Sequence, residues 1–242
     1  MAAAKLVPDE TTLAGLAKAL ENVIHVDLEL ILGAFGMAGF AVCLLKLVTH
    51  QSVSADVRLQ ASIQFKNLVA QRWDAVAGCI PEEDKAPVRE YIIDLMLTTE
   101  PLVRAQLSAA VACISKIDFP SHWPGLLPGL AKHAGSSDPS VIIGVLETAA
   151  AVFERFDGAY ECDEVNIALK AALDGFCEPL HAIFGTLSAA MGPALSGGAS
   201  SLPQLKLVLT AFDLAGQCFH HLCYPVLADE MNDRLSVSIP AL

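Results

Sequence analysis

The densest group of side chains with metal-binding chemistry is the run Cys218-Phe219-His220-His221-Leu222-Cys223. Zinc prefers cysteine sulfur and histidine nitrogen as ligands. On a helix, Cys218 and His221 would share one face, and His220 and Cys223 would share another, because residues three apart are neighbours. The two pairs point in nearly opposite directions, since positions 218 and 220 differ by about 200° around the axis. They cannot converge on one ion, so we expect a structural role here, with no metal and no cofactor.

Paired carboxylates could act as general acid and base, and the chain has two such groups, at 82–84 and 163–164. Both groups fall where helices are predicted to begin, and the helix dipole stabilises negative charge in a first turn. The sequence contains no Gly-x-Ser-x-Gly motif, phosphate loop or dinucleotide fingerprint. We therefore predict that the chain is not an enzyme.

The composition describes a folded, acidic, helical chain. Hydrophobic residues make up 54% of the 242 residues and aromatic residues only 6%, a balance that favours packed helices over sheets. The net charge of −12 argues against nucleic acid, because phosphates are held by Lys and Arg. An acidic surface instead attracts basic protein partners, or it simply keeps the protein soluble. Seven scattered cysteines without a secretory signal indicate a reducing cytosol or nucleus.

Apolar residues recur at helical spacing from Ser54 onward, and no segment alternates with period two for long enough to predict a strand. Pro101, Pro139 and Pro203 stand where helices should begin. The helices form pairs that begin roughly 40 to 60 residues apart, a spacing whose lower end is typical of HEAT and armadillo repeats. The predicted fold is therefore an all-α, HEAT/armadillo-like solenoid of helical hairpins, which offers an extended binding surface. The predicted pairs are 54–73 with 84–98, 101–116 with 122–133, 138–156 with 161–190, and 202–222 with about 225–236.

The pattern divides the chain into four parts. Residues 1–53 form an atypical first repeat, 54–191 form HEAT repeats, 192–201 form a flexible loop, and 202–242 form a further, truncated repeat. Within the first part, Leu30–Leu45 carries no charge. A membrane span is one interpretation, but roughly 16 residues fall short of the roughly 20 that a bilayer requires. A buried helix broken near Gly36–Gly39 is the favoured alternative.

Four segments resemble a known family. The run Asp56–Val69, followed by Arg72-Trp73, resembles the amino-terminal repeat of importin-β-like transport receptors. The turn Asp118–Pro124, with Trp123 between two prolines, and the helix Gly144–Phe156 continue the match in the same order. The segment Ala168–Leu180 is similar to one branch, the CAS-type exportins that return importin-α to the cytoplasm. Importins seven and eight share much of this pattern.

Two features depart from the family. Members normally carry a polar helix with Arg and Glu just before the stretch that is Gly39-Phe40-Ala41 here, whereas this chain has the apolar, glycine-rich Val26–Met37. Family receptors are also several times longer, so the resemblance covers only an amino-terminal arch.

The resemblance implies a nuclear transport receptor fragment that shuttles between nucleus and cytoplasm. In the family, the inner helices of the first repeats bind the GTP form of the small GTPase Ran, and importin-α is held jointly as cargo. By position, the inner helices here are about 40–49, 84–98, 122–133 and 161–190. The alternatives are a generic HEAT scaffold without GTPase dependence and a membrane protein anchored by Leu30–Leu45. The predicted partner contacts are the polar residues of the inner helices: Glu83, Asp84, Arg89, Glu90, Asp94, Lys132, Asp163, Glu164 and Lys170.

Overall fold

The structure is a computed structural model that describes residues 10–21, 33, 38–157, 162–197 and 201–223. Within these ranges the regular structure is helical, and no strand occurs. The chain divides into two compact units, Met1–Ile117 and Asp118–Leu242.

The first unit contains five described helices: α1 (Glu10–Glu21), α2 (Phe40–Thr49), α3 (Ala55–Arg72), α4 (Glu82–Leu97) and α5 (Pro101–Asp118, whose last residue opens the second unit). Helix α2 packs against α3 and α4, and α1 packs against α3. Ser54 caps α3, because its Oγ accepts a hydrogen bond from the Val57 N–H at 3.3 Å. Pro81 precedes α4, whose first turn carries the three acidic residues that the helix dipole favours.

The core of the first unit is built from the apolar stripes of these helices. Phe40, Phe65, Leu68 and Trp73 are all almost completely buried. Two cations lie over the Trp73 indole, with the Lys85 ammonium 5.5 Å and the Arg89 guanidinium 5.6 Å from the ring centroid. The Lys85 and Arg89 side chains of α4 therefore cover the edge of this core.

The second unit contains α6 (Leu126–Ala131), α7 (Pro139–Phe153) with a 3₁₀ turn (Glu154–Phe156), α8 (Asp163–Ser196) and α9 (Leu202–Cys223). Asp138 caps α7 by accepting a hydrogen bond from the Ser140 N–H at 2.8 Å. Helix α9 packs against α7 and α8, and α6 packs against α8. Phe153 stacks on Phe156 with centroids 6.3 Å apart and meets Phe176 edge-on at 5.7 Å, joining α7 to α8.

Two predicted elements need correction. The helix predicted at 122–133 begins only at Leu126, because Pro120 and Pro124 hold the preceding residues in turns. The predicted loop 192–201 is helical as far as Ser196. The helix extends this far because Ala194 is held against the rest of the unit. Ala194 is 2% exposed, and its carbonyl accepts a hydrogen bond from Ser201 Oγ at 2.8 Å. The helix predicted at about 225–236 lies outside the described residues.

The uncharged stretch Leu30–Leu45 is described only in part. Gly39 adopts a left-handed φ of 77°, and α2 begins directly after it, with Phe40, Ala41 and Leu44 buried. Of the helices in the described ranges, none has both the length and the apolarity to cross a membrane.

Candidate protein-interaction surface

Helix α4 presents a row of carboxylates on its exposed side. Glu83, Glu90 and Asp94 are all exposed, and their spacing of seven and four residues places them on one face. We call these three residues the α4 acidic face. Beside them, Tyr91 is 48% exposed. Glu90 raises the pKa of Tyr91, because its carboxylate accepts a hydrogen bond from the phenol and opposes a second negative charge.

Asp84 was predicted as a partner contact, and the structure assigns it a different role. The residue is 1% exposed, and its Oδ2 accepts a hydrogen bond from the Gly39 N–H at 2.7 Å. Burial raises the pKa of Asp84, and the hydrogen bond from Gly39 offsets part of that effect. Asp84 lies about 100° around α4 from Glu83, so it points inward and cannot meet a partner.

Arg89 also makes its contacts within the first unit. Its Nη1 lies 2.7 Å from Glu82 Oε1, and its guanidinium covers Trp73. The side chain is only 14% exposed. The main contacts of Arg89 are therefore internal to the first unit.

The remaining predicted contacts lie in the second unit and form a separate set. Lys132 is exposed at the carboxyl end of α6. Asp163 and Glu164 are exposed in the first turn of α8, as their helix-start pattern predicted. Hydrogen bonds from its own N–H and from Cys162 lower the pKa of Glu164. Lys170 is exposed on α8, and its Nζ lies 3.9 Å from Asp174, a surface pair of small energetic value.

Sequence reasoning missed Tyr91 as part of this surface. The sequence contained the information needed to find Tyr91. Val88, Ile92 and Met96 form the buried stripe of α4, and Tyr91 falls outside that stripe. An exposed tyrosine beside carboxylates suits a protein interface, where its ring is apolar and its hydroxyl stays wet. We therefore add Tyr91 to the candidate surface.

Within the Cys/His run at 218–223, Cys218 packs in the core and His221 makes a polar contact with Asp157. Cys218 is buried on α9 and its thiol donates to the Leu146 carbonyl at 3.6 Å, while burial raises the pKa of Cys218 to about 12. His221 Nδ1 lies 2.8 Å from Asp157 Oδ2, which ties α9 to the end of the 3₁₀ turn. In the part of the chain that the structure describes, no three His, Cys, Asp or Glu side chains converge as metal ligands would.

Comparison with known proteins supports the resemblance seen in the sequence. Residues 37–98, which contain α2, α3 and α4, match the family described as the Importin-beta N-terminal domain. The chain is 35% identical over 150 residues to an importin-alpha re-exporter of Schizosaccharomyces pombe, covering 61% of this chain and 16% of that protein. It is 31% identical over 204 residues to Exportin-2 of Xenopus laevis, covering 83% of this chain and 20% of that protein. For human Exportin-2 the identity is 29% over 195 residues, covering 79% and 20%.

Solved structures show the same fold. An exportin in its cargo-free, cytoplasmic state superposes with a TM-score of 0.80 at 22% identity, covering 93% of this chain and 25% of that chain. A bidirectional nuclear transport receptor of S. cerevisiae gives a TM-score of 0.67 at 20% identity, covering 88% and 21%. These likenesses confirm the predicted all-α fold of helical hairpins.

The fold defines the class of protein, which is that of all-helical repeat proteins. Within that class, residues 37–98 match the importin-β amino-terminal domain, and the chain is similar to proteins named importin-alpha re-exporter and Exportin-2. The predicted resemblance is thus confirmed. The chain spans 16% and 20% of the length of the first two relatives.

Proposed function

We propose that this chain binds the GTP form of Ran together with importin-α, and that it acts in the export of protein from the nucleus. The observation that carries the proposal is the importin-β amino-terminal domain at 37–98, whose helix α4 exposes the α4 acidic face. The relatives named importin-alpha re-exporter supply the choice of cargo. A receptor of this kind moves between nucleus and cytoplasm, and we propose both locations for this chain.

The charge of the surface supports a basic protein partner. Three carboxylates lie on one side of α4, on a chain of net charge −12. Complementary charge steers association and fixes orientation more than it adds affinity. Tyr91 supplies apolar contact area next to these charges, which a purely electrostatic patch would lack. We propose Glu83, Glu90, Asp94 and Tyr91 as the main contacts of the first unit.

A second set of proposed contacts lies in the other unit. Lys132, Asp163 and Glu164 are exposed and stay among the proposed contacts. Arg89 and Lys170 contribute less, because each is held by an acidic neighbour within its own helix. Asp84 is withdrawn, since its carboxylate is buried against Gly39.

The test compares binding of the chain to Ran loaded with a non-hydrolysable GTP analogue and to Ran loaded with GDP. We expect preference for the GTP form, and we expect the double variant Glu90→Lys/Asp94→Lys to weaken it at least tenfold at low salt. Glu21→Lys/Asp74→Lys is the matched control with the same change in charge, because Glu21 and Asp74 are exposed acids of the same unit outside α4. Equal weakening by control and double variant would show that only total charge matters, and unchanged affinity would remove α4 from the site.

A generic HEAT scaffold without GTPase dependence is the alternative function. The helical repeat fold favours it, because stacked helical hairpins offer an extended binding surface whether or not a GTPase is involved. Capture of proteins that does not change between Ran-GTP and Ran-GDP would support the scaffold. Recovery of importin-α only in the presence of Ran-GTP would support the transport receptor.

A further inference from the structure

Two cysteines of the second unit lie on the packed helices α8 and α9. Cys177 is buried on α8, Cys223 is exposed at the end of α9, and both are free thiols. Only a few residues separate the end of α8 from the start of α9, and the two helices pack against each other. They are therefore an antiparallel helical hairpin, in which residues far apart in sequence lie side by side.

Aromatic contacts fix the register of this hairpin. Phe184 of α8 meets Phe212 and Phe219 of α9 edge-on, with centroids 5.2 Å and 5.9 Å apart, so the Phe184 ring lies between them. Phe184 is therefore level with about position 215–216 of α9. Cys177 lies seven residues before Phe184, and Cys223 lies about seven residues after that position. Both steps cover about 10.5 Å in the same direction, so the two cysteines are at the same level.

The two cysteines also share the faces that carry these aromatic contacts. Cys177 differs from Phe184 by only about 20° around the axis of α8. Cys223 differs from Phe219 by about 40° around the axis of α9. Cys218, by contrast, lies about 140° from Cys223 and its thiol contacts a carbonyl of α7. The cysteine of α9 that faces α8 is therefore Cys223.

The spacing of packed helices suits a bond between these two cysteines. Neighbouring axes lie about 8–10 Å apart and each Cα lies about 2.3 Å from its axis, so Cα atoms that face each other directly are about 3.4–5.4 Å apart, and those beside the line of contact are slightly further apart. Disulfides join Cα atoms about 4.4–6.8 Å apart. The pKa of Cys223 also reflects the proximity, since it is raised first by burial and then by the charge of Cys177.

We propose that Cys177 and Cys223 are a redox-active thiol pair, which a small-molecule disulfide such as oxidised glutathione converts to an intramolecular disulfide between α8 and α9. The exposed Cys223 thiolate attacks one sulfur of the glutathione disulfide, whose sulfur–sulfur bond breaks and releases one glutathione thiolate. The Cys177 thiolate then attacks the Cys223 sulfur, which breaks the mixed disulfide and releases the second glutathione thiolate. The two protein thiols lose two electrons and two protons, and one glutathione disulfide becomes two glutathione thiols.

The disulfide would make the second unit sensitive to its redox environment. In a reducing compartment both thiols stay reduced, and disulfides that do form there are usually transient and redox-sensing. The bond closes a loop of about 46 residues, from position 177 to position 223, and holds the carboxyl end of α9 against α8. Closing such a loop restricts the unfolded chain, so the oxidised unit is more stable than the reduced one.

The experiment incubates the full, folded chain with oxidised and reduced glutathione at mildly alkaline pH, quenches with acid and analyses proteolytic peptides by mass spectrometry. We expect the peptide of Cys177 joined to that of Cys223, with fragment spectra that distinguish Cys223 from Cys218. Cys162 should carry glutathione instead, because it is exposed and lies about 22 Å along the helix axis from Cys177. Cys177→Ala removes the second thiol, so Cys223 should then carry at least tenfold more glutathione than in the wild type. The matched control Cys162→Ala should leave the yield of the cross-link unchanged.

Urea unfolding gives a second measurement. Trp73→Phe leaves Trp123 as the sole tryptophan and as a probe of the second unit. In this background we expect oxidation to raise the folding equilibrium constant at least tenfold, dithiothreitol to reverse the increase, and Cys177→Ala to abolish it.

Three results would overturn the proposal. The first is the lack of a cross-linked peptide under conditions that fully modify Cys162. The second is equal glutathione on Cys223 in the wild type and in Cys177→Ala, and the third is a cross-link between two chains, seen as a dimer on a non-reducing gel. Should Cys177→Ala fail to fold, Cys223→Ser at the exposed position replaces it. Cys177 should then stay free of glutathione because it is buried, and rapid modification of Cys177 would count against the proposed order of attack.

Discussion

Replacing Asp84 by alanine tests whether α4 holds the beginning of α2. The Asp84 carboxylate is the acceptor for the Gly39 N–H at 2.7 Å, and the site is buried. A buried donor left without a partner costs about 1–3 kcal/mol. Alanine also removes a buried negative charge, which recovers part of its desolvation, so we expect a loss in the lower half of that range. The melting temperature of the unit Met1–Ile117 would fall by about 4 °C for each kcal/mol.

The assay is urea unfolding of the first unit, followed by Trp73 fluorescence in a Trp123→Phe background. Glu83→Ala is the matched control, because it removes the neighbouring acid from an exposed position and should change the free energy of unfolding by less than about 0.5 kcal/mol. Equal effects of the two substitutions would refute the structural role of Asp84.

The same residue predicts a pH dependence. Burial raises the pKa of Asp84 in the folded protein, so the folded state binds this proton more tightly than the unfolded state does. The stability that protonation contributes is complete below the unfolded pKa and is lost as the pH rises through the raised folded pKa. Asp84→Asn keeps a carbonyl acceptor for Gly39 without a titrating group. The wild-type protein should therefore lose stability relative to the Asp84→Asn variant as the pH increases. Urea unfolding of both proteins at a series of pH values measures this difference, and a difference that stays constant would contradict the raised pKa.

Two further predictions concern a glycine and a thiol. Gly78 has φ +66°, and a Cβ there would lie 2.9 Å from Arg72 Nη1, so Gly78→Ala should cost about 1–2 kcal/mol in urea unfolding. Gly135→Ala, where no atom lies within 4 Å of the new Cβ, should cost less, and equal losses would argue against the backbone explanation. Cys218 is buried with its pKa raised to about 12, so iodoacetamide should label exposed Cys162 well before Cys218 in the native protein. Mass spectrometry of tryptic peptides would measure the labelling rates of Cys162 and Cys218. Labelling of Cys218 as early as Cys162 would contradict the burial of Cys218.

Helix starts were predictable where apolar spacing or a proline marked them. The apolar spacing from Ser54 onward predicted the start of α3, and Pro139 predicted the start of α7. The end of α8 was not predictable in this way, because Gly192 and Pro193 are typical of a loop. Burial of Ala194 against the rest of the unit extends the helix past them, and burial is a tertiary effect.

The candidate surface was predictable only in part. Glu83, Glu90 and Asp94 follow from the helical phase of α4 once its buried stripe is recognised. The role of Asp84 does not follow, since its acceptor contact is with Gly39, 45 positions earlier in the chain. A single sequence gives no distance between such positions. The same limit applies to His221 and Asp157, whose pairing depends on how α9 packs against α7.

The contact between Gly39 and Asp84 has a consequence for how this chain tolerates divergence. The first N–H group of the α2 region finds its acceptor on α4, and Gly39 provides the left-handed turn, so the start of α2 is specified by residues at or after position 39. The unusual Val26–Met37 sequence lies before both of these residues in the chain. We therefore expect substitutions in that stretch to leave the hydrogen bond between Gly39 and Asp84 in place.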